Sequence, residues 1–195
     1  GLLAKAVAEQ LTDGDVKAKV TDQQLQGVTK IVLDGETKFA SWAGIEKLTG
    51  LTHFSARNTG LAGKLGDIEK LTKLQVLNLE NTKVTGNLDK LEDMAKLTEL
   101  VLGGGSATVN ITGKLEDLKD KKELVTLGLA GTKVSGKLAD LKGAVKLQSL
   151  SLPANSSITG KLEDLAALTA RKKLDCPATK VTGSLADLEQ MPGLT

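Results

Sequence analysis

The stretch Thr82-Lys83-Val84-Thr85-Gly86 (TKVTG) returns as TKVSG at Thr132–Gly136 and as TKVTG at Thr179–Gly183. These copies begin 50 and 47 residues apart, and each interval hides a degenerate copy, VNITG at Val109–Gly113 and SSITG at Ser156–Gly160. TGLAG at Thr59–Gly63 stands one step upstream. Outward from these marks, the shared pattern sets a Leu-x-x-Leu-x-Leu run before the copy and x-Leu-x-Asp-Leu-x-x-Leu after it. The runs open at Leu51, Leu74, Leu97, Leu124, Leu147 and Arg171, the last in the place of a leucine. The unit is therefore about 23 residues long, and self-similarity at such a period marks an array of stacked supersecondary units.

The physics of the unit fixes its architecture. L-x-x-L-x-L is a short strand whose leucines point inward, and one unit alone cannot bury them. Stacking units at the strand spacing of about 4.8 Å makes one continuous leucine core. The glycine closing each Val/Ile-Thr-Gly predicts a turn. Asp67, Asp117, Asp140, Asp164 and Asp187 are placed to cap or begin a short helical turn on the convex side. Lys64, Lys114, Lys137 and Lys161, three residues before four of these aspartates, read as a solvated mixed-charge face. Thr59, Thr82, Thr132 and Thr179 are expected to turn their hydroxyls onto the backbone of a neighbouring loop, with Asn155 in the equivalent place. Before the array, LLAKAVAEQL has helical spacing, and Thr21-x-x-Gln24 is a capping-box start. Val28–Leu33 is a strand that opens a first, atypical unit ending at Gly50. The reading is an α/β solenoid: a helical cap over residues 1–27 and about seven repeats over 28–195, together one structural domain.

The unit resembles a leucine-rich repeat. The cap and first repeat, VTDQQLQGVTKIVL followed by FASWAGIEKLTGLTHF, resemble those of internalin-type bacterial proteins. The later repeats, with Thr-Gly-x-Leu inside, are similar to the Leu-Thr-Gly type of plant receptors, though one residue shorter and without paired cap cysteines. The internalin resemblance implies a secreted or surface-anchored bacterial protein, its signal and anchor lying outside this chain. It carries over no functional residues, because binding positions in that family vary with the ligand.

Composition narrows the function classes. Of 195 residues, 40% are hydrophobic but only 2% aromatic, with no tyrosine, so burial rests on Leu, Val, Ile and Ala. Net charge is +2 with both signs interspersed, which gives no nucleic-acid footprint. No apolar run reaches the roughly 18 residues of a membrane span. The single cysteine, Cys176, rules out a disulfide within the chain. His53, the only histidine, and Cys176 fall five strands apart, roughly 24 Å, too far for a nucleophile–base pair. GGGS at Gly103–Ser106 lacks the Lys-Ser/Thr of a phosphate loop and reads as a flexible insertion. Glu92–Asp93 and Glu116–Asp117 lie outside any cleft that would make them an acid–base pair. No cofactor and no metal are implied, and no enzyme is expected.

The outward positions of the strands form the concave face. Most are small and uncharged, and Trp and Tyr anchors are missing. The candidate ligand-binding patch is His53, Arg57, Val76, Asn78, Glu99 and Val101. Trp42 and Phe39 read as core at the cap junction. The leading expectation is a non-enzymatic module that binds a protein or glycan partner. An intracellular scaffold, a structural spacer, and ice binding by Thr85, Thr112, Thr159 and Thr182 are the alternatives. Lys83, Lys133 and Lys180 are left without a structural task, and mark where an acidic ligand would be sought.

Overall fold

A computed structural model describes residues 1–104, 109–170, 173–184 and 186–187. Helix α1 spans Leu2–Leu11 and α2 spans Asp22–Gln26. The capping box is present: Gln24 N–H donates to the Thr21 hydroxyl at 3.1 Å, and Thr21 N–H donates to Gln24 Oε1 at 2.9 Å. Leu3 and Val7 on α1 are buried and join the core at its N-terminal end with Val28, Ile31 and Ile45.

The repeats build a seven-stranded parallel main sheet. In chain order its strands are β1 (Lys30–Val32), β2 (His53–Ser55), β4 (Val76–Asn78), β6 (Glu99–Val101), β8 (Thr126–Gly128), β10 (Ser149–Ser151) and β12 (Lys173–Asp175). The central residue of each strand faces in. Phe54, Leu77, Leu100, Leu127 and Leu150 lie side by side in register, fully buried. Phe39 and Trp42 are buried too, and the Trp42 ring meets Phe54 at 5.9 Å between centroids. Fully burying such a side chain is worth about 1.5–3 kcal/mol, so the inner row drives the stacking.

The Val/Ile-Thr-Gly segment is not a turn. It forms two three-stranded parallel sheets, together the side sheet: β3 (Ala62–Lys64), β5 (Lys83–Asn87) and β7 (Ile111–Thr112), then β9 (Gly136–Lys137), β11 (Ile158–Lys161) and β13 (Lys180–Thr182). Parallel bridges Val109–Thr132 and Lys114–Ser135 join the two groups of three. The glycine serves close approach. Its φ lies at +132° in Gly136 and +116° in Gly160, and a Cβ there would sit 3.1 Å and 3.0 Å from the backbone nitrogen of Leu115 and Leu138 in the preceding repeat.

The aspartates cap 3-10 turns, reaching back three residues. Asp117 and Asp164 each accept a backbone N–H, from Lys114 and Lys161, at 2.8 Å; Asp140 accepts that of Lys137 at 2.9 Å. What joins the Lys-x-x-Asp pairs is thus a main-chain hydrogen bond to the carboxylate. In the repeat that has Lys90 at the aspartate position, Asn87 supplies the cap instead, accepting from Asp89 N–H at 3.1 Å. Asp140→Ala is expected to cost about 1 kcal/mol and Asp140→Asn less, read as the shift in urea midpoint.

The inward threonines act within their own repeat, contrary to expectation. Thr59, Thr82, Thr132 and Thr179 donate to the carbonyl three residues earlier at 2.7–2.8 Å. The hydroxyl is too short to cross to the next repeat. The longer Asn155 amide does cross, donating to the Leu129 carbonyl at 2.7 Å.

Gly103 and Gly104 are buried, and the remainder of GGGS (residues 105 and 106) lies outside the described residues. A Cβ on Gly103 would fall 1.9 Å from the Ala130 carbonyl oxygen, and one on Gly104 1.9 Å from Asn81 Oδ1. These two glycines allow the strand exit to pack against its neighbours, and their part of the segment is not a flexible insertion. Arg171, Lys172 and the start of a further unit at Leu194 fall outside the described residues.

One core position breaks the leucine pattern. Lys121 occupies the site held by Leu71, Met94, Ala144 and Leu168 in other repeats, and is 1% exposed. Its Nζ donates to the Glu92 carbonyl at 2.6 Å. Burial pushes its pKa below 10.5, an effect opposed by the nearby Asp120, Asp93 and Glu92 carboxylates.

Candidate functional site: the outer face of the main sheet

Two outward rows run across the main sheet. One carries Lys30, His53, Val76, Glu99, Thr126, Ser149 and Lys173; the other carries Val32, Ser55, Asn78, Val101, Gly128, Ser151 and Asp175. Period-two alternation puts them there, because every residue flanking an inward leucine in a strand must face out. Five of the six candidate residues come together in this way: His53, Val76 and Glu99 in the first row, Asn78 and Val101 in the second. Arg57 lies past the end of β2.

The polar members are tied to one another. Asn78 Nδ2–H donates to Glu99 Oε1 at 3.1 Å, and Asn78 Oδ1 accepts Glu80 N–H at 3.1 Å. Asn78 is consequently only 9% exposed, a brace between adjacent strands more than a free contact. Thr52 Oγ–H donates to the Thr29 carbonyl at 3.1 Å. The same Thr52 Oγ lies 2.8 Å from His53 Nδ1, a contact that holds the imidazole in place. Asp34 gathers the margin: it accepts from Ser55 Oγ–H at 2.5 Å and Arg57 N–H at 3.0 Å, and pairs with Arg57 Nε at 3.8 Å. The role of Asp34 is not visible in the sequence, since it belongs to the preceding repeat and meets Arg57 only through stacking.

This is a shallow surface with fixed donors and acceptors. Among the described residues, no group of three or more His, Cys, Asp or Glu is placed to hold a metal ion. His53 on β2 and Cys176 beyond β12 are separated by the full run of intervening strands. Cys176 packs half-buried on the core, and burial together with Asp175 pushes its thiol pKa up, away from nucleophilic thiolate. Among the described residues no helix is long and apolar enough to cross a membrane.

A stacked row of inward leucines, one parallel strand per repeat and a capped N-terminal end are now in view. The fold is a leucine-rich repeat solenoid. Internalin C2 from Listeria monocytogenes superposes with a TM-score of 0.68 at 16% identity, covering 98% of this chain and 89% of that one. The functional domain of InlJ from the same organism gives 0.66 at 21% identity, covering 98% of this chain and 43% of that one. The Arabidopsis receptor kinase HAESA, solved in complex with the peptide hormone IDA and the co-receptor SERK1, gives 0.61 at 20% identity, covering 76% of this chain and 25% of that one. The chain thus spans most of internalin C2 but less than half of the other two. No family model matches the sequence, and no curated relative matches it. The leucine-rich repeat array shares its fold with bacterial internalins and with plant receptor ectodomains alike. That agrees with a sequence whose cap resembles the former and whose repeats resemble the latter.

Proposed function

We propose that this leucine-rich repeat chain is a non-enzymatic recognition module of a secreted or surface-anchored protein, and that it takes a protein or peptide partner on the outer face of its main sheet. The observation that carries the reading is the preorganised patch on β2, β4 and β6. There the Asn78–Glu99 bond and the Thr52–His53 bond fix one carboxylate and one imidazole beside the half-buried side chains of Val76 and Val101. Fixing side chains before binding reduces the entropy lost on association. The similarity to a receptor solved with a peptide hormone supports the class of partner.

The test is a binding screen of extracellular proteins and peptides against the whole chain, repeated with a His53→Ala/Glu99→Ala variant. A genuine partner is expected to lose at least about tenfold in affinity, about 1.4 kcal/mol, with thermal stability little changed. A partner bound equally well by the variant would move the site off this face.

A further inference from the structure

The side sheet presents a surface of different chemistry. Its outward positions carry Lys64, Lys83, Lys114, Lys133, Lys137 and Lys180, all exposed and, among the described residues, none in an ion pair. Lys161 also stands there and pairs with Glu163 at 3.0 Å. The other outward positions on these strands are Ala62, Thr85, Asn87, Thr112, Thr159 and Thr182, so no carboxylate projects from the sheet itself. At one edge Asp117, Asp140 and Asp164 accept main-chain N–H groups. Lys83, Lys133 and Lys180 lie at the opposite end of the strands from that edge.

Register sets lysines beside small or hydroxyl residues. Lys83 lies across from Ala62, Lys64 from Thr85, and Lys114 from Ser135. Thr159 lies between Lys137 and Lys180. Two strand spacings therefore separate Lys137 from Lys180, about 10 Å. Thr85, Thr112, Thr159 and Thr182 donate weakly to the glycine carbonyl of the preceding repeat, at 3.3–3.4 Å. Their outward lone pairs are acceptors, and the lysines are donors.

We propose that the side sheet binds a linear acidic polysaccharide. The ammonium groups take its carboxylates or sulfates, and the threonine oxygens accept from its hydroxyls. A polyanion without hydroxyl donors would use the lysines alone. In the row Lys137–Thr159–Lys180, the two-strand spacing of the lysines matches a chain with one anionic group per disaccharide. Lys137 and Lys180 on either side of Thr159 break the unbroken threonine row that an ice-binding face would need.

The experiment measures binding of the whole chain to hyaluronan at low ionic strength, beside neutral dextran and a single-stranded DNA oligomer of matched charge. Hyaluronan is expected to bind, to weaken steeply as salt rises, and to exceed both controls. A Lys83→Gln/Lys133→Gln/Lys180→Gln variant, whose exposed changes leave the melting temperature in place, is expected to lose at least tenfold. The His53→Ala/Glu99→Ala variant is expected to bind hyaluronan as the wild type does, which separates this surface from the main-sheet site. Absent binding at low salt, an unaffected lysine variant, or DNA binding as tightly as hyaluronan would each overturn the proposal.

Discussion

Phe54→Ala is expected to cost about 3–5 kcal/mol, the range for truncating a buried aromatic in a core that relaxes only partly. Phe54 is fully buried, sits in register between Ile31 and Leu77, and packs against Trp42. The damage should be local. In a repeat array each unit contacts only its neighbours, so loss of one junction uncouples what lies on either side. The cap and first repeat are expected to melt ahead of the rest, turning one unfolding transition into two. Trp42, the single tryptophan, reports that junction directly. Its fluorescence should change at a lower urea concentration than the far-ultraviolet circular dichroism. Coincident transitions with an unchanged midpoint would show that the junction is not held in this way.

Lys121→Met is expected to stabilise the protein by about 1–3 kcal/mol near neutral pH, because a buried charge costs more to desolvate than its contacts return. Methionine is the residue that the preceding repeat already uses at this position, Met94. The gain is net of the Glu92 carbonyl losing the Lys121 donor. The pH dependence gives a second readout. Burial lowers the Lys121 pKa below its ordinary 10.5, so the folded state disfavours the proton that the unfolded chain holds. The unfolded chain binds more protons between the lowered value and 10.5, and wild-type stability therefore rises with pH across that window. The wild-type deficit relative to Lys121→Met is complete below the window and should shrink as pH rises through it. Thermal melts of both proteins from about pH 7 to 10 measure this. A deficit that stays constant, or a variant less stable than wild type, would show that the lysine is not strained by burial.

Much of the main sheet was legible because strand alternation is a local rule. Once the repeat was aligned, Leu77 had to face in and Val76 and Asn78 had to face out. The same rule brought five of the six candidate residues onto one surface. Three things were not legible, each for want of knowing what lay in the next repeat. The side sheet is not legible because a Thr-Gly step is as compatible with a turn as with a close-packed strand. Only the backbone of the preceding repeat, about 3 Å from where a Cβ would be, distinguishes them. That Asn78 braces Glu99 on the neighbouring strand is not legible either. Lys121 sits in a lysine-rich run, Lys119 to Lys122, and by composition belongs on the surface. It is buried because the repeat register places it at a core position.

The sequence by itself determined the period, the inward leucines, the capping box at Thr21 and the outward rows of the main sheet, since each follows from spacing along one chain. The tertiary structure alone decided which outward groups are held by partners, and which lysines of the side sheet stand beside a hydroxyl. Those facts depend on the stagger between repeats, and the stagger is set by how the leucine core packs.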